Sequence, residues 1–182
     1  MAKVSTIADT TEVPISDLEK QIKQLSDSTG VEAGEIAENV YNAISAGQKT
    51  GDAVNFVSKA TDLARAGFAE TGDALDVLST IMNAYGLEAS EVDKVSNDLI
   101  MTQNLGKTTV AELSSSMGKV IPTAKSTGVN LDELCGAYAV MTSNGVATAE
   151  TTTYLNSMLN ELGKQGSTAA NAFAAGTEHI KE

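Results

Sequence analysis

Tryptophan is absent from this chain of 182 residues, histidine and cysteine occur once each, and proline occurs twice. Each scarcity removes a class of explanation. Aromatic residues make up only 4%, so a core must be built from aliphatic side chains and alanine, whose small volume lets helices approach closely. The lone Cys135 forbids an internal disulfide and is compatible with a reducing compartment. The lone His179 leaves no histidine pair for a metal, and one distant cysteine does not complete a ligand set. Positive charge is also scarce: 12 Lys and Arg stand against 24 Asp and Glu, a net charge of −12. A surface of that sign repels nucleic-acid phosphates and anionic membrane faces. No stretch approaches the ~18–20 apolar residues of a membrane span. The opening MAKVSTIADTTEV is too polar for the apolar stretch of a signal peptide. We therefore expect neither nucleic-acid nor membrane contact from this segment.

What the chain has is a row of short amphipathic stripes, each stopped by a glycine. Hydrophobic residues reach 42% and glycines number 15. Val4 and Ile7 stand alone in Ser/Thr/Asp text, so residues 1–14 read as an extended or mobile arm ended by Pro14. Ser16 and Glu19 have capping-box spacing before Leu18, Ile22 and Leu25, with Gly30 as the left-handed stop. Ile36, Val40 and Ile44 run to Gly47; Ala53, Phe56, Val57, Ala60 and Leu63 to Gly67; Leu75, Leu78, Met82 and Tyr85 to Gly86. Ser90 opens Val92, Val95 and Leu99, before Gly106. Thr109 and Glu112 open Val110, Leu113, Met117 and Val120, where Pro122 bends or ends the helix. Asn130 and Glu133 cap Leu131, Leu134, Cys135, Tyr138 and Met141, up to Gly145. Thr148 caps Tyr154, Leu155, Met158, Leu159 and Leu162, up to Gly163, and a weaker Ala-rich helix spans about 167–175. Thr-Gly recurs at Thr29, Thr71 and Thr127 but at unequal spacing, which argues against a regular solenoid. The expected fold is all-α: a compact array of about eight to ten short antiparallel helical hairpins. Residues 15–165 would form the helical domain, and 166–182 a weak terminal helix and tail. Helices of ~13 residues are unstable alone, so their stripes must pack together.

Motifs that could carry chemistry lack their required setting. Gly106-Lys107-Thr108 has the ending of a phosphate-binding loop, but Met101 stands where the first glycine belongs, and a helix rather than a strand precedes it. Ser116-Met117-Gly118-Lys119 and Lys49-Thr50-Gly51 match two motifs of penicillin-recognising enzymes, in reversed order and without the strand that presents the second. Cys135 shares an apolar face with Leu131, Leu134 and Tyr138 and has no histidine nearby in sequence, so it reads as a small hydrophobe. Glu32, Glu35 and Glu38 read as a solvated helix face, not as the paired carboxylates of a cell-wall hydrolase. Met82, Met101, Met117, Met141 and Met158 fall on the stripes and read as core, with an adaptable partner groove as the alternative. No catalytic, cofactor-binding or metal-binding residue is assigned.

Four stretches resemble the tail tape-measure proteins of long-tailed bacteriophages and prophages. They are STIADTT (Ser5–Thr11), MNAYGL (Met82–Leu87), TQNLGKTTVAELSSSMGKVIPTA (Thr102–Ala124) and SNGVATAETTTYLNSMLNELGKQGS (Ser143–Ser167), and they run collinearly over nearly the whole chain. The resemblance implies a structural, non-enzymatic virion protein that directs tail assembly and length and is released at DNA ejection. It implies tail-tube proteins, tail-tip proteins and other tape-measure copies as partners, arranged on a threefold or sixfold axis. It places the protein in the virion tail, and in host cytoplasm during assembly. In that family such a region lies in the N-terminal part of a much longer polypeptide, so the chain is expected to be a fragment. The alternatives are a helical adaptor with a groove for a partner helix and a cell-wall lytic enzyme. One unbroken helix of the whole chain would be ~270 Å long. The glycine stops forbid it, and a folded body of ~16 Å radius of gyration is expected instead.

Overall fold

Pro14 decides where the first long helix begins. Its backbone is extended and its carbonyl accepts the N–H groups of Asp17 and Leu18, so α1 spans Ile15–Thr29. Ser16 thus lies inside the first turn, and the capping box expected of Ser16 and Glu19 does not form: no side chain caps this helix. In the computed structural model, which describes residues 1–164 and 166–172, eight more α-helices follow. They are α2 (Ala33–Ser45), α3 (Thr50–Ala66), α4 (Thr71–Tyr85), α5 (Val92–Leu105), α6 (Val110–Met117), α7 (Ile121–Ser126), α8 (Leu131–Ser143) and α9 (Thr148–Gly163). No strand occurs among the described residues, so the fold is all-α as expected. Within the weak terminal helix, residues 168–172 are helical; His179 lies outside the described residues.

Helix α4 is the hub. Leu75, Val77, Leu78, Ile81 and Met82 are buried round most of its circumference, and it packs on α2, α3, α5, α6 and α7. A helix apolar on most sides belongs in the interior. Around it the expected stripes of α1, α2, α3 and α5 face inward, with Leu18, Ile36, Val40, Phe56, Val57 and Leu99 all at 1% exposure or less. Neighbours in sequence pack in pairs, α1 on α2, α2 on α3, α3 on α4 and α8 on α9. Helices α5 and α8 also pair, and they run the same way. Lys94 meets Asp132 near their N-terminal ends, and Gly106 lies against Ala139 and Thr142 near their C-terminal ends.

The helix ends reuse one device. After α2, α3, α4, α7 and α8 a backbone N–H reaches back five residues to close the last turn, as in Gln48 to Ala43, Ala69 to Ala64, Leu87 to Met82, Val129 to Ala124 and Val146 to Met141. The residue before each donor must be left-handed. In four cases it is a glycine, Gly128 among them at φ 82; in α3 it is Phe68, at φ 51.

Three further expectations are corrected. Residues 1–14 are not an extended arm. Val4 is buried in a 3-10 turn over Val4–Thr6, the Asp9 N–H donates to Thr50 Oγ1 (2.8 Å), and the Gly51 N–H donates to Glu12 Oε2 (3.2 Å). Pro122 does not bend α6. That helix ends at Met117, and Pro122 sits in the first turn of α7, where its missing N–H costs nothing. Thr148 does not cap α9: Ala147 holds the cap position without a side-chain bond.

Candidate functional site

The motif residues are placed by the packing of α5, α6, α8 and α9. Gly106-Lys107-Thr108 forms the connection from α5 to α6 and lies against α8. A Cβ at Gly106 would stand 2.5 Å from Thr142 Oγ1 and 3.0 Å from Ala139 Cα, so this glycine permits a close helix approach. The Lys107 N–H donates to Thr142 Oγ1 (3.0 Å). Thr148 Oγ1 lies 2.8 Å from Thr108 Oγ1 and 2.9 Å from Glu112 Oε2, tying the loop and α6 to the start of α9. The N–H groups of Gly106, Lys107 and Val110 are taken by Thr102, Thr142 and Gln103, so they are not free for a phosphate. Thr109 does cap α6 by accepting the Glu112 N–H at 3.1 Å, while the Glu112 carboxylate turns to Thr148 instead of reaching back.

The other motif residues are likewise absorbed by structure. The buried Ser116 hydroxyl donates to the Glu112 carbonyl, and Lys119 is exposed. Thr50 and Gly51 hold the N-terminal segment through Asp9 and Glu12. Glu32, Glu35 and Glu38 are exposed, and Glu38 lies 3.4 Å from the Lys3 ammonium. Cys135 is buried between α5 and α8, and burial pushes its thiol up to about 11, away from the thiolate a nucleophile needs. Burial pushes the Tyr138 phenol up to about 12, and its hydroxyl bonds Thr152 inside the core. At the start of α5, Lys94 Nζ lies 2.6 Å from Asp132 and 3.4 Å from Asp98. The bond to Lys94 holds Asp132 below its ordinary value, whereas burial raises Asp98. Among the described residues no cluster of three His, Cys, Asp or Glu converges as metal ligands would.

The surface carries more signal than the interior. Met82 and Met117 are buried and Met141 is half-buried, but Met101 and Met158 are exposed, as is Tyr154. Helix α9 buries Thr148, Thr151, Thr152, Leu155 and Leu159 instead. Threonines are three of the five residues of its inward stripe, so a pattern read from apolar residues alone turns the helix too far. Met101 and Leu105 border a shallow groove against Gly136 and Ala139. A larger cleft of about 760 Å³ lies between α7 and α9, lined by Val129, Leu159 and Leu162. A third, of about 440 Å³, runs between α3 and α5. No helix among the described residues is long and apolar enough to cross a membrane.

A sequence model of the family described as phage-related minor tail protein matches residues 19–181, from the first turns of α1 to past α9. The chain belongs to that family. Among proteins similar to this family member is the probable tape measure protein of Clostridium phage phiCD119, 37% identical over 185 aligned residues. That alignment covers 100% of this chain and 20% of the relative. The tape measure protein of Pneumococcus phage Dp-1 is 23% identical over 164 residues, covering 90% of this chain and 14% of that relative. The chain thus spans a fifth or less of the length of these two relatives. No solved structure matches it. The tail-protein family membership agrees with the resemblance read from the four sequence stretches.

Proposed function

We propose that this chain is a structural segment of a phage tail tape-measure protein, acting as a folded assembly module and not as the measuring rod. The observation that carries the reading is the whole-length similarity to the phiCD119 tape measure protein, joined to a fold whose longest helix has 17 residues, or ~25 Å. A ruler needs an uninterrupted helix, and this segment is broken into short helices, several of which pack back on their sequence neighbours. In this reading the module acts by binding, without chemistry. Its partners are tail-tube and tail-tip proteins and other tape-measure copies, and its place is the virion tail after assembly in the host cytoplasm. Its acidic surface suits a tube through which DNA later passes, since like charge keeps the two apart.

The test is deletion of residues 15–163 from the full-length gene, with electron microscopy of the resulting tails. A folded module predicts failed tail assembly or non-infectious particles. Infectious particles with tails shorter by about 220 Å, the helical length of the deletion, would make this segment part of the ruler and overturn the proposal. Incubation of the domain with cell-wall sacculi separates the lytic alternative: release of soluble fragments would require an activity this reading denies.

A further inference from the structure

The closure of α3 departs from the other four helix ends of its kind at one residue. Phe68 takes the left-handed position at φ 51 and is 93% exposed. Both features are unfavourable in an isolated domain, because a Cβ resists that conformation and a solvated phenyl ring leaves apolar surface in water. The preceding glycine has a reason internal to the fold. A Cβ at Gly67 would stand 2.4 Å from Val110 Cγ2. The aromatic at 68 has none: the bonds that close the turn, Gly67 N–H to Leu63 O (2.8 Å) and Ala69 N–H to Ala64 O (2.9 Å), are backbone bonds that a glycine at 68 would make equally well. Those bonds fix the backbone at 68, and the ring stands in solvent.

The same end of α3 borders the groove with α5. Lys59 meets Asp93 at one end at 2.8 Å. At the other, Gly67 packs on Val110, whose N–H donates to Gln103 of α5. The two helices therefore run in the same sense, and both C-terminal ends lie toward Phe68, where helix dipoles favour a cation. Ala66 and the half-buried Ile100 give the groove an apolar strip between the polar Asp62, Asn97 and Lys59, with Leu63 buried beneath it. Ser96 Oγ lies beneath this lining, closed to solvent and without a hydrogen-bond partner. Of the charged lining, Asp93 is paired with Lys59, which leaves Asp62 as the carboxylate without a salt bridge.

We propose that Phe68 and the α3/α5 groove are a docking site for a basic amphipathic helix of a different tail protein. Its apolar stripe would cover Ala66, Ile100 and the Phe68 ring, and a Lys or Arg would sit on the Asp62 side. An exposed aromatic side chain on a backbone-fixed turn can anchor an interface by filling a pocket of the partner. Charge decides among occupants. A second copy brings the same −12 to an acidic rim, and an anionic bilayer is repelled likewise. The proposal rests on the reading of the chain as a tail component.

The experiment uses the full-length gene in its phage. p-Benzoylphenylalanine is placed at position 68, or at exposed Ser143 as control, and adducts formed during tail assembly are identified by mass spectrometry. The expected result is an adduct specific to position 68, on a basic helical segment of one other tail protein. An adduct to a second copy, an adduct to lipid, or no excess over the Ser143 control overturns the proposal. In parallel, Phe68→Gly should raise the melting temperature of the folded domain by about 2–4 °C, the shift for relief of one strained residue, while lowering phage titre at least tenfold; Phe68→Trp should keep the titre. An unchanged titre with Phe68→Gly defeats the docking site. A premature stop in the gene separates the two readings: intact tails from the stop mutant would defeat the tail reading, whereas loss of tails there with normal Phe68→Gly phage would defeat the docking site alone.

Discussion

Replacing Gly67 by alanine isolates one steric contact with little else changed. The backbone at Gly67 has φ −94, which suits any L residue, so the substitution carries no dihedral cost. By itself, less freedom in the unfolded chain would make alanine stabilising by about 0.4–1 kcal/mol. The new Cβ, however, would stand 2.4 Å from Val110 Cγ2, 2.8 Å from Val110 Cβ and 3.1 Å from the Leu63 carbonyl oxygen. Carbon atoms pack best at about 3.5–4.0 Å, so the overlap exceeds one ångström. Val110 cannot yield easily: it is fully buried, β-branched and fixed at the first turn of α6. Overpacking of this kind costs about 1–3 kcal/mol, and we expect a net loss of about 2 kcal/mol and a melting temperature roughly 4–8 °C lower. Val110→Ala alone should cost about 2 kcal/mol through lost burial and a small cavity. In the double variant the 2.4 Å overlap with Cγ2 disappears while the Cβ at position 110 still lies 2.8 Å away, so Gly67→Ala should cost less than in the parent but not nothing, a coupling of about 1 kcal/mol. Urea unfolding followed by circular dichroism at 222 nm measures all four corners of the cycle. A Gly67→Ala domain as stable as the parent, or strictly additive losses, would refute the assigned contact between α3 and α6.

Other outcomes follow from the same geometry. Gly106→Ala should destabilise more than Gly67→Ala and resist rescue by Thr142→Ala, because the Thr102 carbonyl and the Ala139 Cα would still lie 2.8 and 3.0 Å from the new Cβ; rescue in the urea midpoint would contradict this. Gly128→Ala meets no atom within 4 Å but sits at φ 82, so it should cost about 1 kcal/mol from backbone strain alone, and an unchanged midpoint would dispute the left-handed stop. Cys135 should react with a thiol reagent no faster than the domain opens, and fast modification of native protein would place the thiol at the surface. Stability should fall as pH rises. Burial holds the Cys135 thiol at about 11 and the Tyr138 phenol at about 12, above ordinary values of 9.0 and 10.0. Their stabilising effect is complete below pH 9 and lost as pH climbs through the folded values. Cys135→Ala should flatten the first part of that fall, and an unchanged pH profile would exclude the thiol from it.

The stripes of α1 to α5 and α8 were legible because apolar residues recur there at helical spacing, and reciprocal capping was legible where side chains alone decide it. The Asn130–Glu133 box forms as written, with bonds of 3.0 and 2.9 Å. It failed at Ser16, where the Pro14 carbonyl had already opened the helix. Val4 gives no signal, because one buried residue has no period and its segment is anchored by the Asp9 N–H on Thr50 and by the Glu12 carboxylate on the Gly51 N–H. On α9 three of the five buried residues are threonine, so hydrophobicity pointed to Tyr154 and Met158, which face solvent. Phe68 escaped notice because sequence alone places the stop at Gly67. The contact with Val110 that shifts the left-handed residue onward joins positions distant in the chain.

The same-sense pairing of α5 with α8 bears on how the segment would respond to force. If helices touched only their sequence neighbours, tension on the two ends would peel off one hairpin at a time, as in a repeat array. Here the Lys94–Asp132 and Gly106–Ala139 contacts fasten together helices separated by α6 and α7, while α4 is gripped by five others. Once α1, which packs on α2 and α3, is drawn off, tension loads the interior before any of α4 to α8 can leave singly. The module should therefore hold its shape up to a threshold and then give way as a unit, like a latch and unlike a spring.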